Sequence, residues 1–162
     1  MIIPLKENSS FGYINEAPRE ETDTLSVNIL SYKKSDIYDY VILSSNPYFG
    51  RKDEELSLKV NTETGKILAD ANGKENLLIP EIKKLKKGYT WNYTEWDAVI
   101  SSENEIVKTR KQVFENCLRI DYRLSMTLNA EIWIKPGVGI VRFSAYRTNP
   151  PSLSPTYYVL NK

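Results

Sequence analysis

The stretch Glu131-Ile132-Trp133-Ile134-Lys135-Pro136-Gly137-Val138-Gly139-Ile140-Val141-Arg142-Phe143 decides the fold. Two apolar, β-rich runs flank Pro136-Gly137-Val138-Gly139, a tight connection in which Pro136, Gly137 and Gly139 serve the turn. Ile132, Ile134 and Ile140 fall on one face and Trp133 on the other, the two-residue period of a strand. An antiparallel hairpin is expected here, within a meander of similar hairpins.

The same period recurs along the chain. Leu118, Ile120, Tyr122 and Leu124 alternate with Cys117, Arg119, Asp121 and Arg123, and Leu25-Val27-Ile29 and Leu56-Leu58-Val60 repeat the pattern. Further strands are expected over residues 38–44 and 157–160. Turn residues punctuate them: Gly65 after Asn61-Thr62-Glu63-Thr64, then Asn72-Gly73. Ser101-Ser102-Glu103-Asn104 is expected to join strands over 91–100 and 105–113, and the proline-rich residues 149–155 must be a loop. One short helix is expected over residues 77–87, where Ile79, Ile82 and Leu85 are spaced by three, four lysines face away and Gly88 follows.

The two halves echo each other. Leu5, Phe11 and Tyr13 match Leu85, Trp91 and Tyr93, and Glu55-Leu56-Ser57-Leu58-Lys59 matches Glu131-Ile132-Trp133-Ile134-Lys135. Residues 1–162 are expected to form a single domain, with 1–80 and 81–162 as repeats of one β-unit. The expected architecture is mainly β: a curved antiparallel sheet, half-barrel or near-closed barrel, with that one short helix.

Composition narrows the chemistry. The 162 residues include no histidine and one cysteine, Cys117. Histidine-dependent triads, His-ligated metals and intramolecular disulfides are therefore excluded. No cofactor and no metal site is called for. The 22 basic and 21 acidic residues leave a net charge of +1, which gives no reason to expect a nucleic-acid partner. No apolar run approaches the roughly 20 residues of a membrane-spanning helix. Met1-Ile2-Ile3-Pro4-Leu5 is too short for the apolar core of a leader, and no cysteine stands there for lipidation.

Carboxylates are the remaining acid–base groups. Asp121 and Glu131 sit on adjacent expected strands, and Glu95 and Asp97 lie two apart on another. Two acids across a cleft could serve glycoside hydrolysis, but Asp121, flanked by Arg119 and Arg123, is expected in a solvated cross-strand charge ladder. Cys117 lacks a histidine base and is expected to be a core or half-buried strand residue. Lys83, Lys84, Lys86 and Lys87 could meet phosphate, or simply form the solvated helix end. Trp91, Tyr93, Trp96, Trp133 and Tyr146 are the candidate ligand-binding aromatics. Trp91 and Tyr93 share one face and Trp96 is expected on the other.

The opening Pro4-Leu5-Lys6 with Phe11 and Tyr13, and Leu85-Lys86-Lys87-Gly88 with Trp91 and Tyr93, resemble the "PLKxGxxWxY" start of uncharacterised bacterial envelope lipoproteins. Phe114-Glu115-Asn116-Cys117-Leu118 followed by residues 131–141 resembles their later "ExWYAPGVGLVK" signature. The resemblance implies a curved sheet similar to the half-barrel of periplasmic lipoprotein carriers, and a place in the cell envelope or outside the cell, with the cytoplasm as the alternative. It also implies a lipid or other apolar molecule as partner, held in the concave sheet without catalysis. A protein-interaction module using a sheet edge or aromatic patch is the alternative expectation, and a carboxylate-dependent hydrolase a third.

Overall fold

A computed structural model describes residues 9–16, 24–124, 127–145 and 155–161. Twelve strands account for most of them: β1 (Ser10–Asn15), β2 (Thr24–Lys34), β3 (Tyr38–Leu43), β4 (Leu56–Asn61), β5 (Ile67–Ala71) and β6 (Lys74–Ile79), then β7 (Thr90–Tyr93), β8 (Trp96–Lys108), β9 (Val113–Leu124), β10 (Thr127–Lys135), β11 (Gly139–Ala145) and β12 (Thr156–Leu160). They form one antiparallel sheet in the order β6-β5-β4-β3-β2-β1-β12-β11-β10-β9-β8-β7. The chain runs as two consecutive meanders of six strands, welded where β1 pairs with β12, Tyr13 opposite Leu160. The outermost strands, β6 and β7, meet without a ladder, and the result is a near-closed barrel.

The two matched sequence pairs occupy equivalent strands. Phe11 and Tyr13 lie on β1 and Trp91 and Tyr93 on β7, the first strand of each meander; Leu56 and Leu58 lie on β4 and Ile132 and Ile134 on β10, the fourth. All eight side chains are buried. The expected hairpin joins β10 to β11, with Gly137 at φ +82° and Gly139 at φ +107°, and the Val138 N–H donates to the Lys135 carbonyl at 3.0 Å. Both glycines hold a backbone that residues with a Cβ rarely adopt.

Two expectations are corrected. The helix over 77–87 does not form: residues up to Ile79 complete β6, Pro80 follows, and Ile82–Lys84 makes a single 3-10 turn. The spacing of three arises because Ile79 ends a strand facing the core and Leu85 returns to it, while Ile82 stays 41% exposed. Ser101–Asn104 is no turn, since β8 runs through it with register shifts against β9. The actual turn lies at 109–112, where the Thr109 hydroxyl oxygen accepts from the N–H groups of Lys111 and Gln112. Most of the expected loop 149–155 lies outside the described residues.

A barrel of eight strands encloses just enough space for side chains to fill, so twelve strands enclose more. Large rings take up the difference. Tyr13 meets Phe143 edge-on with centroids 5.1 Å apart, Phe143 stacks on Tyr158 at 5.2 Å, and Trp91 meets Tyr122 at 6.1 Å. Strand-borne rings do not complete the filling. Two more, Tyr48 and Phe49, come from the connection between β3 and β4.

Candidate functional site

The β3–β4 connection, residues 44–55, turns inward because of its sequence. Its first residues are tied to β2: the Ser44 N–H donates to the Asn28 carbonyl and the Asn28 N–H to Ser44 Oγ, each at 2.9 Å. Asn46 and Arg51 then exchange backbone hydrogen bonds of 2.9 Å, closing a short turn over Pro47, Tyr48, Phe49 and Gly50. Glu54 holds its base, accepting from Asn46 Nδ2 at 2.8 Å and from Arg51 at 2.6 Å. Gly50, at φ +63°, lies so close to β11 that a Cβ there would stand 2.5 Å from the Ala145 Cβ. Only glycine permits that approach. The Lys52 ammonium sits 5.2 Å from the centroid of the Tyr158 ring.

This geometry drives two adjacent aromatics into the barrel. Phe49 packs on Tyr93, Trp96 and Tyr122, with centroid distances of 5.5, 4.9 and 5.2 Å. Tyr48 is fully buried. Its hydroxyl has no hydrogen-bond partner among the described residues. The neighbouring buried tyrosines are satisfied: Tyr13 donates to the Ile140 carbonyl at 3.0 Å and Tyr122 to the Leu78 carbonyl at 2.8 Å. Burial pushes the ionisation of Tyr13, Tyr48 and Tyr122 well above the ordinary phenol range. For Tyr48, the nearby Tyr13 and Tyr93 add to the rise.

Beside Tyr48 lies a cavity of about 20 Å³, walled by Phe11, Tyr13, Val27, Tyr48, Val138 and Ile140 among others. That is room for about one water-sized group. Among the described residues no charged side chain lines it. Val138 and Gly139 of the decisive hairpin form part of the wall, so the turn that sets the fold also borders this space.

The aromatic candidates separate. Trp91 and Tyr93 are buried inside the barrel. Trp96 does not take the opposite face: it pairs directly with Tyr93 across the β7–β8 hairpin, and directly opposed residues share a face. The two-residue turn between them resets the alternation. Trp133 lies outside, yet only 3% exposed, with the Arg119 and Arg142 guanidinium groups 5.3 and 4.4 Å from its ring centroid. Tyr146 lies outside the described residues. Tyr48 and Phe49 were not among the sequence candidates, though two adjacent rings between a proline and a glycine were visible there.

The charge ladder exists but is not solvated. Asp121 and Glu131 are opposed across β9 and β10 and only 2% and 4% exposed. Each of their four oxygens has a donor. Asp121 accepts from Arg119 at 2.9 Å and from Arg123 at 3.2 Å, while Glu131 accepts from Arg119 and from the Tyr157 hydroxyl, the latter at 2.8 Å. The overlying Arg119 and Trp133 exclude the water that alternation alone would assign to an outer face. Burial opposes the Arg119 charge, but Asp121 and Glu131 more than offset it and raise its pKa. Cys117 is buried with its thiol 3.5 Å from the Phe114 carbonyl oxygen, and burial pushes its pKa up, away from thiolate chemistry. Of the lysine run, Lys83 and Lys84 pair with Glu81 and Lys86 with Glu103, while Lys87 reaches Glu103 through its backbone N–H.

No protein-family profile matches the chain, and no curated protein matches it in sequence. Two solved structures resemble it in fold. One is a protein from Bacteroides fragilis predicted to be exported and described as having a YmcC-like fold; it is 12% identical, with a TM-score of 0.59 over 98% of this chain and 96% of that one. The other, a predicted lipoprotein from Parabacteroides distasonis, is 15% identical, with a TM-score of 0.48 and the same coverage. At 12% identity the first likeness is one of fold.

Proposed function

We propose that this chain is a non-enzymatic binding domain of the cell envelope or the secreted space, which takes an apolar or amphipathic ligand into its barrel. One observation carries the reading. A fully buried ring of the barrel, Tyr48, is delivered not by a strand but by a loop, with a hydroxyl that has no partner among the described residues and an apolar cavity beside it. A ring held by a loop can leave the core without unpairing a strand, which a ring on a strand cannot.

The fold likeness to a protein predicted to be exported and the resemblance of residues 131–141 to envelope lipoproteins support the location. The full engagement of the Asp121 and Glu131 oxygens supports a role without acid–base chemistry. An interaction module anchored by Trp96 or Trp133 draws no support, because Trp96 packs on Phe49 and Trp133 is covered by two arginines.

The test is extraction of protein purified without detergent, followed by mass spectrometry. A stoichiometric apolar compound is expected. Its absence, together with failure of the protein to retain any apolar compound added back, would overturn the proposal.

A further inference from the structure

The cavity of about 20 Å³ is too small for any ligand larger than a water-sized group. Resting on the function proposed above, we infer that the ligand occupies the place Tyr48 now fills, that residues 44–55 withdraw to admit it, and that it is uncharged with an apolar, ring-sized body.

The mode of attachment singles out Tyr48. Tyr13, Tyr93, Tyr122, Phe143 and Tyr158 belong to strands, and moving any of them means breaking a ladder. Tyr48 hangs from a loop whose turn is closed by the Asn46–Arg51 backbone pair and by Glu54, which accepts from both side chains. Its withdrawal releases the Ser44–Asn28 hydrogen bonds, the Phe49 ring contacts and the Lys52–Tyr158 contact, and leaves the β3–β4 ladder intact. The plugged state also carries two buried unpaired polar atoms, the Tyr48 hydroxyl and Asn46 Oδ1, both on this loop. Neither gives up a hydrogen bond to a described residue when the loop leaves.

The vacated space defines the ligand. It is the volume of a phenol ring plus the adjoining cavity, so it takes an aromatic ring or a compact aliphatic group of that size. Its walls would be the rings of Tyr13 and Phe11 and the side chains of Val27 and Ile140. Such walls suit an apolar body, which gains from ring-edge contacts. A charged group would lose its hydration there with no counter-charge among the lining residues. Fatty-acid carboxylates and phosphate headgroups are thereby disfavoured inside the barrel.

p-Cresol, a neutral ring the size of the Tyr48 side chain, serves as the probe. The protein carries 3-fluorotyrosine in place of Tyr48, so that one fluorine resonance reports the burial of that ring. Saturating probe is expected to shift the resonance toward its solvent position. Gly50→Ala, which forces the loop off Ala145, is expected to bind the probe about tenfold tighter, as when a plugged state is destabilised by one order of magnitude. Binding with the resonance unmoved would overturn the inference and leave the proposed function standing. Equal affinity of Gly50→Ala and the unaltered protein would also overturn it. No binding to either protein would remove the proposed function and the inference with it.

Discussion

Trp91 on β7 donates its indole N–H to the Leu78 carbonyl on β6 at 3.1 Å, across the boundary where the sheet has no ladder. The same carbonyl accepts the Tyr122 hydroxyl at 2.8 Å. A buried edge carbonyl is thus satisfied by two side chains from the barrel interior, which is how the sheet ends without a neighbour.

The two donors back each other up, and their removal should be non-additive. Trp91→Phe and Tyr122→Phe are each expected to cost about 1 kcal/mol beyond lost packing, because the other donor remains. The double variant leaves the Leu78 carbonyl orphaned and should lose an additional ~1 kcal/mol. Denaturant unfolding of the four proteins in a double-mutant cycle measures this coupling, and strict additivity would count against it.

Arg119 is the common partner of Asp121 and Glu131. Arg119→Met should destabilise the protein by about 2–4 kcal/mol, a figure reduced from a fully buried pair because the guanidinium keeps 30% of its surface in water. Adding Glu131→Gln on that background removes one of two facing charges and should restore part of the loss. Thermal or denaturant melts decide it; a further loss on adding Glu131→Gln would contradict the ion-pair account.

The buried phenols set an alkaline limit. Tyr13, Tyr48 and Tyr122 keep their protons in the folded state to pH values well above the ordinary phenol pKa of about 10. Above that pH the unfolded chain releases protons that the folded chain retains, so stability falls as pH rises and is unaffected by these groups below it. With three such groups the slope should approach about 4 kcal/mol per pH unit above pH 10. Unfolding free energies measured between pH 8 and 12 test this, and a flat profile would mean the rings are not buried.

Tyr48→Phe removes the unpaired hydroxyl and keeps the ring. It should raise stability by about 1 kcal/mol, against the usual sign for a core substitution. A loss of more than about 1 kcal/mol on chemical denaturation would show that the hydroxyl has a partner.

The sheet was legible because strand alternation is local: Ile120 and Tyr122 point inward and Arg119 and Asp121 outward, as their spacing requires. The decisive hairpin was legible because Gly137 and Gly139 announce their φ values. The site was not legible, since it depends on where a loop ends up. Nothing local to Pro47-Tyr48-Phe49-Gly50 states that Ala145 will lie against Gly50, a contact made across 95 residues of sequence (145 − 50). The burial of Asp121 and Glu131 escaped for the same reason: alternation assigns a face, and only the packing of Arg119 and Arg142 on Trp133 determines whether water reaches it. The false helix came from a local period of three that the turn after Pro80 also satisfies.

The most direct measurement is a crystal structure of the protein grown with p-cresol. The account predicts ring density inside the barrel between Tyr13 and Ile140, with Tyr48 swung out of the interior and β1 to β12 unchanged. Probe density confined to the outer surface, with the Tyr48 ring still in place, would contradict it.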